Sequence, residues 1–109
     1  WSKRFMELLK VKLLSKLREI EGVEDRPSPV SGGTALFYLG KEFAHFHNAN
    51  ELDLRLTKSV IHQLGLEHPP GSIQHPGRSA NSPWIEVRFS NAAAIKRVVE
   101  LVRIAITKL

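Results

Sequence analysis

From Phe5 to Ile20, apolar residues (Phe5, Leu8, Leu9, Val11, Leu13, Leu14, Leu17, Ile20) recur mostly at steps of three and four. Ser2 stands before them as an N-cap and Gly22 behind, so the stretch predicts an amphipathic helix. The prolines and glycines of 26–33 then break helix and read as a connector. Thr34 to Leu39 and Lys41 to His47 are β-prone, and Gly40 with Lys41 between them predicts a tight hairpin. After a turn at 48–50, Leu52, Leu54 and Leu56 alternate with Asp53 and Arg55, the period of a strand with one wet face.

Thr57 predicts the cap of a short helix through Leu64, with Leu56 and Ile61 as a hydrophobic staple and Gly65 at the left-handed position after it. From Glu67 to Pro83 the density of proline predicts a long irregular loop, a kind of segment that is functional or mobile. Trp84 to Phe89 alternates once more, placing Ile85, Val87 and Phe89 on one face and Trp84, Glu86 and Arg88 on the other. Ser90 or Asn91 caps a last helix whose Ile95, Val98, Val99, Val102, Ala105, Ile106 and Leu109 make one stripe. The order predicts an α+β two-layer sandwich, an antiparallel sheet of about four strands packed on N- and C-terminal helices, with residues 1–109 forming a single domain.

Composition adds constraints. Hydrophobic residues at 42% and charged residues at 25% place the chain among globular proteins rather than disordered or fibrous ones. The absence of cysteine removes disulfides and thiolate metal sites, which suits a reducing, cytoplasmic setting. No run approaches the roughly 20 apolar residues of a spanning helix, and no export signal is recognisable. An opening at Trp1 fits a piece of a longer chain and a processed product equally.

The net charge of +5 biases the chain toward anionic partners, with the surplus in 1–21 and 91–109. Nucleic acid is therefore an alternative partner through Lys3, Lys10, Lys12, Arg18, Lys96 and Arg103, provided that the helices bring these onto one face. The lysine-flanked first helix is also a basic amphipathic element of the kind that lies on membranes, although packing against a core is its commoner use.

Several stretches carry a resemblance: Glu42-Phe-Ala-His-Phe-His47, Leu52-Asp-Leu-Arg-Leu56, Leu64-Gly65-Leu66 closing the short helix, and Ser82-Pro-Trp-Ile85 before the last one. Together they resemble the luciferase-domain family of small α+β domains, from about Thr34 to the C-terminus. The order of elements is also topologically similar to MmcQ/YjbR-type domains. The first resemblance implies a fold rather than a reaction. Its name suggests light emission, but these residues offer no physical basis for binding flavin or activating oxygen, and no cofactor is implied.

The candidate chemistry collects on one sheet face. If Ala44 and Phe46 pack under the helices, then Phe43, His45 and His47 point away from them, and His45, His47, Asp53, Arg55, Trp84, Glu86 and Arg88 share a polar surface. His45 and His47, two residues apart on a strand, suit one cation such as zinc, iron or copper once a third ligand joins. Asp53, Glu86, His68 and His75 are the possible donors. Ordinary hydrogen bonding on a half-exposed sheet remains the simpler role for the histidines, so no metal is favoured. Asp53 and Arg55 are expected to pair across strands with Glu86 and Arg88, and Trp84 either stacks a ring or covers a core edge. Arg78 with Ser79 is a candidate anion cradle. Nucleophile elbows, phosphate loops and dinucleotide fingerprints are absent.

The leading expectation is a noncatalytic binding or interaction module whose small ligand or protein partner meets this face and the 67–83 loop. Its candidate ligand-binding residues are His45, His47, Asp53, Arg55, Arg78, Trp84 and Arg88. The alternatives are a basic nucleic-acid-binding domain and a small metal-assisted enzyme using His45 and His47.

Overall fold

The protein's structure, a computed structural model, describes residues 3–28, 33–69 and 82–109. The expectations for Ser2, the 29–32 connector, His75, Arg78 and Ser79 lie outside them. The elements are α1 (Lys3–Leu17), β1 (Val23–Pro27), β2 (Thr34–Tyr38), β3 (Lys41–Asn48), β4 (Glu51–Arg55), α2 (Lys58–Gln63), β5 (Trp84–Arg88) and α3 (Ala92–Thr107). All five strands form one antiparallel sheet in chain order, β1-β2-β3-β4-β5. No helix among the described residues is long and apolar enough to cross a membrane.

The α+β architecture is the one the pattern predicts, with a strand more than expected. β1 was hidden because Val23 is its only buried apolar side chain and because it ends in proline. Proline removes a ladder donor, and an edge strand with one neighbour tolerates that. Before β1 the chain turns at Gly22, whose φ is +91°, and a Cβ there would lie 2.8 Å from the Tyr38 ring. Both features call for glycine at this position.

Helices α1 and α3 touch each other, and their apolar faces join the core formed by Leu36, Ala44, Phe46, Leu52, Leu54 and Ile85 of the sheet. In α1 the buried stripe is Leu9, Leu13, Leu14 and Leu17, whereas Phe5, Leu8 and Val11 are exposed. The sequence offered apolar residues around most of this helix, and one face of a helix is all that can rest on the sheet. α3 buries Ile95, Val98, Leu101, Val102 and Ala105, and its first turn is capped by Asn91, whose Oδ1 accepts from the Ala94 N–H at 2.8 Å. Thr57 caps α2 in the same way, its Oγ1 accepting from the Val60 N–H at 3.1 Å. Gly65 follows with φ +63°.

The β2–β3 hairpin turns one residue earlier than predicted. Leu39 and Gly40 are its central pair, both with positive φ (49° and 88°), the geometry that matches the twist of the flanking strands. Two bulges interrupt the pairing of β3. In the first, Leu36 opposes Ala44 while Phe37 opposes Glu42, leaving Phe43 as the extra residue; in the second, Phe46 opposes Leu52 and Asn48 opposes Glu51, leaving His47 extra. The first bulge overturns the expectation for Phe43, which is fully buried in the core. Strict alternation would have put Phe43 beside His45. With an extra residue in the strand, Phe43 joins the core and Glu42 shares the face of His45.

Candidate functional site

The face of the sheet opposite the helices carries polar residues in register. His45 on β3 opposes Asp53 on β4, and Asp53 opposes Glu86 on β5; in the next row Asn48 opposes Glu51, and Glu51 opposes Arg88. This face is not wet at its centre. Asp53, Glu51 and Glu86 are 0%, 3% and 4% exposed. Burying a carboxylate is costly unless hydrogen-bonding or cationic groups surround it, and two like charges directly opposite on neighbouring strands add to the cost.

The surrounding groups are imidazoles and one guanidinium. Nε2 of His45 lies 3.3 Å from Oδ2 of Asp53, and Nε2 of His47 lies 3.7 Å from the same oxygen. Each ring turns its other nitrogen to a second carboxylate: His47 Nδ1 is 3.0 Å from Glu51 Oε2, and His45 Nδ1 is 3.4 Å from Glu42 Oε2. Arg88 Nη2 donates to the other oxygen of Glu51 at 3.0 Å. His68, from the segment after α2, hydrogen-bonds Glu86 through Nδ1. Trp84 closes one side, its ring centroid 5.5 Å from that of His45.

One donor atom each from His45, His47 and Asp53 can be chosen so that all lie within 4.8 Å of one another, close enough to share a cation. Beside this cluster is a cleft of about 460 Å³, lined by Lys58, Ile61, His62 and Leu66 from α2 and its C-terminal turn, and by His68 and Trp84. Trp84 and His68 are common to the cleft and the cluster.

Of the expected site residues, the structure brings together His45, His47, Asp53, Trp84 and Arg88. Arg55 is exposed at the end of β4, opposite Trp84. Arg78 lies outside the described residues. The expected cross-strand pairing of Asp53 and Arg55 with Arg88 and Glu86 is rearranged: Arg88 bonds Glu51, its register partner. Sequence reasoning missed Glu42 and Glu51. Glu51 was findable, since it continues the Asp53 and Arg55 alternation; Glu42 was not, since only the bulge brings it to this face.

The basic residues proposed for nucleic acid divide into groups. Lys10 Nζ stands 4.9 Å above the Phe46 ring, and Arg18 makes a two-point bond to Asp25 at 2.8 and 2.9 Å. Lys12 and Lys96 do come together, joined by Lys16, which was not among those proposed, in a groove that Val99 and Glu100 also line.

No curated protein and no solved structure matches the chain. Residues 40–105 match the family model of the Luciferase domain, a span that holds β3, β4, α2, β5 and nearly all of α3 together with every residue of the cluster. The chain therefore belongs to the luciferase-domain family.

Proposed function

We propose that the chain is a binding module whose small ligand occupies the cleft beside Trp84 and reaches the histidine and carboxylate cluster at its edge. The observation that carries this reading is the junction itself: an apolar cleft of about 460 Å³ shares Trp84 and His68 with a row of buried ionisable groups. Cavities of about 300–1,000 Å³ that combine apolar walls with a few convergent polar groups are the common form of small-molecule sites. Trp84 offers a stacking surface, and Lys58, His62 and Glu67 among the lining residues supply hydrogen-bonding groups of both polarities.

The test is a fragment screen by two-dimensional NMR on the metal-free chain. Shifts that cluster at Ile61, Leu66, His68 and Trp84, and that vanish in Trp84→Ala, are expected. Fragments that bind elsewhere, or that bind Trp84→Ala equally well, would overturn the reading.

A further inference from the structure

We infer that His45, His47 and Asp53 form a binding centre for one divalent transition-metal ion of the zinc class. This rests on the reading of the polar face as the functional one and names what that face holds. Donors about 2.1 Å from a tetrahedral ion are about 3.4 Å from one another. The separations of 3.3 Å and 3.7 Å from Asp53 Oδ2 to the two Nε2 atoms bracket that edge. With all three donors inside 4.8 Å, the remaining edge needs to close by at most about 1.4 Å, within reach of side-chain rotation.

The orientation of the rings is the second, independent argument. A histidine that ligates through one nitrogen commonly offers the other to a carboxylate, which fixes the ring and raises its basicity. His47 has this arrangement with Glu51, and Nδ1 of His45 faces Glu42 at 3.4 Å, an ion-pair distance without a hydrogen bond, while the Nε2 atoms of both rings converge on Asp53. Glu51 is itself held by Arg88. Two imidazoles and one carboxylate supply borderline donors, suited to zinc, ferrous iron or cobalt and poorly matched to calcium or magnesium. Three protein ligands leave at least one coordination position for water or a ligand group, the pattern of a reactive rather than a purely structural centre.

The test is titration of the chelator-stripped chain with zinc against a competing chelator, with metal counted after gel filtration. One retained zinc per chain is expected, and His47→Ala and Asp53→Asn should each weaken binding by more than tenfold. Because Asp53 and His47 are buried, a readout free of variants accompanies this: cobalt bound to the unaltered chain should give ligand-field bands of low coordination and two paramagnetically shifted imidazole N–H signals. Retention well below one zinc per chain, or a cobalt spectrum like that of the aqueous ion, overturns the centre. Fragment binding at Trp84 is measured without metal, so each reading can fail while the other stands.

Discussion

Glu51 is 3% exposed, with one oxygen on His47 and the other on Arg88. Replacing it by glutamine keeps the shape and an acceptor but removes the charge that strengthens His47 as a donor. Glu51→Gln should fold and should lower zinc affinity about 10–100-fold, the usual effect of losing an outer carboxylate. Unchanged affinity would mean that Glu51 serves only to balance Arg88. Leu39 presents a different problem. It is 75% exposed and carries φ +49°, a conformation that costs a residue with a Cβ about 1–2 kcal/mol. Asparagine tolerates that conformation through its short polar side chain. Leu39→Asn should therefore raise the melting temperature by several degrees in calorimetry, on the scale of about 4–8 °C per kcal/mol for a domain near this size.

At the level of elements, the segment that follows α1 is fastened to β1 by the Arg18–Asp25 pair. The hydrogen bond from Arg18 holds the Asp25 carboxyl below its ordinary value, its charge acting the same way and partial burial opposing both. Folding thus favours the carboxylate, so its contribution is complete at neutral pH and fades as pH falls through the usual carboxylate value of about 3.9 and below. Asp25→Asn should be less stable than the parent at pH 7, with the gap narrowing in denaturant titrations as pH approaches 3. A constant gap would mean that packing, not charge, fastens the strand. The elements were legible in the sequence to the extent that their side chains repeat with a clean period. α3 and β5 do, and were placed closely. β1 has one buried apolar residue and so shows no period, and the bulge after Glu42 changes the phase of β3 partway along, which no fixed alternation reveals.

For the molecule as a whole, charge and burial decide between partners. The polar face was visible in the sequence through His45, His47, Asp53 and Trp84, but its depth was not, because an alternating strand gives the same pattern whether the polar side is wet or covered. That Asp53 is wholly buried follows from what surrounds it in space. The cationic surplus was equally visible, but its division was hidden: Lys10 lies over Phe46 and Arg18 is engaged by Asp25, while Lys12, Lys16 and Lys96 share a groove. Three clustered lysines are a small footprint for a polyanion. Any affinity for DNA should accordingly be weak at 50 mM salt and lost by 200 mM, with a log–log slope of about −2.7 for duplex and about −2 for single strands, as three lysines neutralising phosphates require. A slope twice as steep would place a wider basic surface at work and revive the nucleic-acid reading.

The five groups that would hold and orient an ion (Glu42, His45, His47, Glu51 and Asp53) all fall in the unbroken stretch 42–53, on two strands that are hydrogen-bonded neighbours. Most metal centres gather donors from distant parts of a chain and cannot be moved without the fold around them. Here the donor set is portable: the hairpin with its bulge at His47, grafted so that a neighbouring host strand meets it with the bulge at Phe43, would carry the geometry along. It would need a host, because a lone two-stranded hairpin is marginal in water, and an arginine in the register of Arg88 to steady the outer carboxylate. The same compactness exposes the stretch to a single insertion or deletion, which would put the donors before it out of register with those after it.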